Sequence, residues 1–301
     1  MSNAASIKAR LKKRSIETGK TMQEMLTVYA LERTIYRLSV SKFVENFTLK
    51  GGIFLYALFG GDYARATTDI DFLAQKISNE TEDMKKVFSE VFSIETDDPL
   101  RYDLNTLKVA NIAELNKYHG VNVSVMAYLD KTKIPVSIDI GFGDVIYPDR
   151  VVMEFPVVLS DESPRVYAYS LISSIAEKFE AIVSLAYDNS RFKDYYDIYV
   201  FARKMDFDGA ELQEALKETF ANRHTSLDEV VAFEDGFADE LLRQSRWNSF
   251  VKKKKPLLKV TLEETIEEMR VFLLPVIEAI RENGPFEDKW NCQEQKWERQ
   301  A

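Results

Sequence analysis

Cysteine is almost absent from this sequence, with Cys292 the single one. No disulfide can form within the chain, which makes a reducing cytoplasm the expected setting. Histidine is nearly as scarce, with His119 and His224 alone, so a conventional structural zinc site lacks ligands. No run of about eighteen apolar residues occurs, and no membrane span is expected. Lys8, Arg10, Lys12, Lys13 and Arg14 have no apolar core after them, unlike a signal peptide. Positive charge is in deficit too: the net charge is −9. That disfavours indiscriminate nucleic-acid binding. Any RNA contact has to be concentrated, and residues 8–14 and 252–255 are the dense basic runs; the alternative for each is a solvated helix end. With 46% hydrophobic and 30% charged residues, the 301-residue chain is long enough for one large domain or two ordinary ones.

What is present centres on residues 50–72, KGGIFLYALFGGDYARATTDIDF. A short β-type run, Phe47-Thr48-Leu49, leads through Lys50 to Gly51 and Gly52, and an apolar helical segment follows. Glycines at a helix start leave backbone N–H groups open to a phosphate. Further on, Asp69 and Asp71 alternate along a strand and so project from one face. Two neighbouring carboxylates repel unless a cation lies between them, and hard oxygen ligands suit Mg2+. A phosphate cradle beside metal-binding carboxylates is equipment for a nucleoside triphosphate. The plain alternative is a surface loop with an acidic strand end.

Gly-Gly followed by Asp-x-Asp resembles the nucleotidyltransferase superfamily. The narrower form Arg65-x-Thr67-x-Asp69-x-Asp71 is similar to the AbiEii/AbiGii toxin family of abortive-infection and toxin–antitoxin systems. The gap from Gly52 to Asp69 is longer than in the compact form of the motif. The resemblance implies nucleotide-binding roles for Lys50, Gly51, Gly52, Arg65 and Thr67. It also implies a third acid on a neighbouring strand. Residues 134–142 read as a strand with Val136, Ile138 and Ile140 on one face and Ser137, Asp139 and Gly141 on the other. Asp139 is the candidate, as a metal ligand or the base for an attacking hydroxyl; the alternative is an exposed Asp at a sheet edge. Asp144, after Gly143, reads as a turn residue.

Helices are expected over residues 6–18 and 21–38, with a short one at 41–46 and another at 79–90. Strands are expected at 106–114, 121–128 and 134–142, and an edge or connection at 151–159. Residues 160–164 read as a linker. Helical patterns follow over 170–188, 190–205, 208–222, 226–232, 235–251 and 261–283, with Pro275 expected to kink the last. The tail beyond Pro285 is polar and reads as poorly ordered, unless Trp290 and Trp297 dock. The expected fold is therefore α/β: a nucleotidyltransferase domain with a small mixed sheet flanked by helices (residues 1–160), then a C-terminal helical domain (165–301).

In the helical half Lys178 falls inside the apolar stripe of Leu171, Ile175, Ile182 and Leu185. A buried ammonium is costly without an anion or water, so its removal is expected to cost little stability. Snorkelling at the stripe's edge is the alternative. The family carries a lysine on this helix, which implies that Lys178 holds a phosphate. It also carries Arg-x-Lys-Asp-x-x-Asp, met here by Arg191, Lys193, Asp194 and Asp197. Lys178 and Asp194 join the catalytic candidates, and Arg191, Lys193 and Asp197 the nucleotide-binding ones; local salt bridges, such as Lys193 with Asp197, are the other reading.

The resemblance implies an enzyme that uses Mg2+ and an NTP to transfer a nucleoside monophosphate to an acceptor hydroxyl. A tRNA 3′ end is the preferred acceptor, and a separate antitoxin the partner. A transferase that nucleotidylates protein, and a non-catalytic nucleotide-binding regulator, are the rival readings.

Overall fold

The computed structural model describes residues 3–61, 67–112, 120–159, 162–254 and 259–299. The chain divides into two compact units, residues 1–144 with 150–169, and residues 145–149 with 170–301.

In the first unit, α1 (Ala4–Thr18) and α2 (Met22–Ser39) precede β1 (Phe47–Lys50), which runs directly into α3 (Gly51–Leu58). β2 (Ile70–Ala74), α4 (Thr81–Phe92), β3 (Leu100–Ile112), β4 (Gly120–Leu129), β5 (Thr132–Phe142), β6 (Val151–Glu154) and β7 (Arg165–Ala168) follow. The strands form one seven-stranded mixed sheet in the order β3-β4-β5-β2-β1-β7-β6. β2 pairs in parallel with β5, and β1 with β7. Alternation decides which face is buried. Val121, Val123, Val125, Ala127 and Leu129 of β4 and Ile134, Val136, Ile138 and Ile140 of β5 are all core residues. α2 and α4 pack against the sheet. α4 offers Met84, Val87, Phe88, Val91 and Phe92, and Phe88 meets Phe47 edge-on at 5.5 Å. A Thr21/Glu24 capping box opens α2.

Two strands differ from the sequence expectation. β3 starts at Leu100 rather than near residue 106. Asp98 accepts the Leu100 N–H at 2.9 Å and pairs with Arg37 of α2 at 2.9 Å, so a distant arginine anchors the strand start. Residues 113–114 of the expected strand lie outside the described residues. β7 has no signal of its own in four residues; it exists because β1 and β6 flank it.

The second unit holds α5 (Leu171–Leu185), α6 (Phe192–Lys204), α7 (Gly209–Arg223), α8 (Leu241–Lys254) and α9 (Leu262–Arg281). Residues 226–232 form no such helix, only a 3-10 turn at Val231–Phe233. α9 continues through Pro275. The tail is ordered: β8 (Phe207–Asp208), β9 (Lys289–Asn291) and β10 (Lys296–Glu298) make a small sheet. Trp290 is buried and donates to the Ala202 carbonyl at 2.7 Å, while Trp297 stacks on Phe272 at 5.7 Å. Tryptophan docking outweighs the tail's polarity because such rings bury large areas. Among the described residues, no helix is long and apolar enough to cross a membrane.

Candidate active site

The sheet register builds one row of side chains. Lys50 of β1 is opposite Asp71 of β2, Asp71 is opposite Asp139 of β5, and Asp139 is opposite Asn122 of β4. Asp69 lies one residue before β2 begins, in a bend, and its carboxylate joins the row from there. Carboxylate oxygens of Asp69, Asp71 and Asp139 lie within 4.8 Å of one another, and all three residues are half-buried. Three acids at that spacing repel one another unless a cation neutralises them. The donors are all hard oxygens, so the set fits Mg2+.

α3 begins where this row ends. Gly51 has φ +66°, the left-handed region that favours glycine, and turns the chain from strand into helix. A Cβ at Gly51 would fall inside the Asp71 carboxylate. Lys50 provides no side-chain cap for the helix. We expect Gly51→Ala to lower transfer activity at least about 10²-fold through displacement of Asp71. It should also cost roughly 1–2 kcal/mol of stability from the positive φ. Parallel urea melts and transfer assays check this, and an active Gly51→Ala protein would remove the constraint.

Two residues of this site carry little sequence signal. Asp144 is no mere turn residue: it accepts from Lys50 Nζ at 2.8 Å, with the Tyr169 hydroxyl at 3.5 Å from the same nitrogen. Gly143, at φ +85°, is its only local sign. Asn122 Nδ2 donates to Asp139 Oδ1 at 2.6 Å and to Ser137 Oγ at 2.8 Å. An amide donor orients Asp139 without competing for a proton. Thr67 is buried and donates to the Asp69 carbonyl at 3.2 Å. Arg65 lies outside the described residues.

A second cluster forms within the helical unit. Lys178 of α5 is buried and donates to Asp194 Oδ1 at 3.2 Å and Asp197 Oδ2 at 2.8 Å, both on α6. Arg191 Nε donates to Asp194 Oδ2 at 2.7 Å. Burial strongly opposes the Asp194 charge, yet Lys178, Arg191 and Lys193 together hold its carboxyl below the usual range. Lys193 is exposed. The anion for the inward lysine is thus supplied by the protein itself, which changes what its removal would do.

The family model described as nucleotidyl transferase AbiEii toxin, type IV TA system, matches residues 33–268. Among solved structures, the chain is similar to a "putative nucleotidyltransferase from H. pylori", with 17% identity, TM-score 0.51, and coverage of 88% of this chain and 100% of that one. At that identity the likeness is one of fold. It is also similar to JHP933 from Helicobacter pylori, with 15% identity, TM-score 0.49, and coverage of 87% and 95%. Comparison with curated proteins gives no match.

Proposed function

The chain belongs to the AbiEii family of nucleotidyltransferase toxins of type IV toxin–antitoxin systems, and from that premise we propose a Mg2+-dependent transfer of a nucleoside monophosphate from an NTP to a tRNA 3′ end. The observation that carries this reading is the triad Asp69, Asp71 and Asp139 within 4.8 Å, beside the uncapped start of α3. The triad would hold Mg2+, which when bound neutralises charge on the triphosphate. The Gly51 and Gly52 N–H groups, at the positive end of α3, bind phosphate oxygens, and Lys50 adds a cation beside them. Asp139, oriented by Asn122, accepts the proton of the acceptor hydroxyl. The hydroxyl oxygen then bonds to the α-phosphorus. The bond from that phosphorus to the α,β-bridging oxygen breaks, and pyrophosphate leaves with the electron pair. In this reading Arg65 and Thr67 serve the triphosphate. Within the helical unit Lys178, Arg191 and Lys193 have nucleotide-binding roles, and Asp194 and Asp197 direct the Lys178 ammonium. Blocking a tRNA 3′ end would stop translation, which suits growth arrest in phage defence and requires an antitoxin for restraint.

The test is incubation with each labelled NTP and total RNA. Label on tRNA together with pyrophosphate release is expected; label on polypeptide alone would favour a protein acceptor.

Both basic runs present exposed cations. Along α1, Lys12, Lys13 and Arg14 are exposed, with Lys8 near Asp130 at 3.5 Å and Arg14 near Glu17 at 3.4 Å. On α8, Lys252 and Lys253 are exposed, while Lys255 and the Lys254 side chain lie outside the described residues. Changing Lys252 and Lys253 to Ser should weaken tRNA binding and flatten its log–log salt slope by about 1.4, at roughly 0.7 per single-strand phosphate neutralised. NTP binding should not change. Filter binding across a salt series measures both, and an unaltered slope would remove α8 from the RNA-binding surface.

A further inference from the structure

The row that carries Asp139 does not stop at the acids. β3, β4 and β5 are long, and their open face continues past the triad in unbroken β4–β5 register. On it Ser137 is opposite Ser124, Pro135 opposite Met126, and Lys133 opposite Tyr128. β3 adds Lys108 across from Ser124 and, beyond a register shift, Arg101 across from Tyr128. Paired residues share a face. The far face of β4 and β5 is solid core, whereas Arg101, Lys108 and Lys133 are exposed and Asn122, Ser124, Tyr128 and Ser137 half-exposed.

Charge decides the occupant. The chain as a whole is strongly acidic, with a net charge of −9. Beyond the acidic triad, however, this face presents three cations against one acid, Asp103, which accepts from the backbone and side chain of Asn105. Tyr128 stands between Arg101 and Lys133 in the cross-strand row. An aromatic ring flanked by cations on a sheet is how proteins hold single strands: bases stack on the ring and phosphates meet the charges. The path from Lys133 to Asp139 covers about 20 Å at the strand rise. Its inner end is the Asn122 amide, bonded to Asp139.

We infer that the open face of β3, β4 and β5 is a track for the single-stranded 3′ end of the acceptor RNA. The track delivers the terminal hydroxyl to Asp139. This rests on the reading of RNA as acceptor.

The test uses the whole protein and oligoribonucleotides of graded length with a free 3′ hydroxyl, in labelled-NTP transfer. For the unaltered protein, KM should fall with length until the strand spans about 20 Å, then level off. Arg101→Ser/Lys108→Ser/Lys133→Ser should raise KM for the longer strands about tenfold. The same variant should flatten the salt slope by about two units, because three phosphates no longer meet a cation. Tyr128→Ala should raise the same KM about tenfold. KM for a dinucleotide should move much less in both variants. Photocrosslinking a 4-thiouridine oligonucleotide to the unaltered protein should mark residues 101–111 or 122–137, whatever the variants' stability.

A length dependence that survives both variants, an equal KM rise at every length, or crosslinks only elsewhere would overturn the track and leave the RNA reading standing. Normal transfer by variants that escape the antitoxin would assign the face to the protein partner instead. If the unaltered protein labels no RNA of any length with any NTP, the RNA reading itself falls and the track with it.

Discussion

Asp69→Asn or Asp71→Asn is expected to abolish nucleotide transfer and growth inhibition, by at least about 10³-fold in kcat/KM, while the protein stays folded. Each change removes one negative charge from a set of three half-buried carboxylates within 4.8 Å. The isosteric amide keeps the volume but is a far weaker ligand for a hard cation. Folding should survive, because the amide keeps the carboxylate's shape and volume in a half-buried site. A protein that still melts cooperatively, with activity gone, is therefore the expected pair of results. The decisive control is the Mg2+ titration of stability. Mg2+ should raise the melting temperature of the unaltered protein and leave that of Asp71→Asn almost unmoved, since a ligand stabilises only the state that binds it. A fully active Asp69→Asn protein, or equal Mg2+ stabilisation of both, would end the metal assignment.

Lys178→Ala is expected to destabilise the helical unit by about 3–5 kcal/mol, the usual cost of breaking a buried ion pair from one side. The reason is the pair of carboxylates left behind. Asp194 and Asp197 are 1% and 0% exposed, and Lys178 reaches both. This reverses what the lysine's place on an apolar stripe suggests when its partners are unseen. A melting temperature lower by roughly 10 °C should result. The pH dependence has a defined sign. Asp194 is held below the ordinary carboxylate range in the folded state, so its contribution is complete above about pH 4 and lost as pH falls through the folded value. In Lys178→Ala the largest opposing cation is gone and burial pushes Asp194 up, so it takes its proton at higher pH. The stability gap between the two proteins should narrow as the solution is acidified. Adding Asp194→Asn and Asp197→Asn to Lys178→Ala should restore much of the stability, because two buried negative charges that have lost their shared lysine are then neutral. Urea melts at several pH values measure all three effects. A Lys178→Ala protein as stable as the parent at pH 7 would mean that the two acids do not need the lysine.

The residues that sequence alone determined are those whose geometry is local. Asp69 and Asp71 are two residues apart, so the pair is legible as a local carboxylate cluster even though Asp69 ends up in a bend just before β2. Thr21 and Glu24 close a capping box because both reach the same turn. Lys178 faces inward because helix periodicity puts it within an apolar stripe. Gly51 could be seen as a turning point, though not that its missing Cβ leaves room for Asp71. Tertiary structure alone decided the partners. Asp139 meets Asp71 through the parallel pairing of β2 with β5, a register set by the burial of whole strands rather than by either acid. Asp144 reads as a turn residue until Lys50 stands beside it, and Asn122 carries no signal until Asp139 does. The lysine's anions come from α6, and the start of β3 depends on an arginine in α2. Local conformation follows from backbone sterics and side-chain period, which a short window of sequence contains. Which carboxylate meets which cation depends on how segments far apart in sequence bury their apolar faces together, and no window contains that sum.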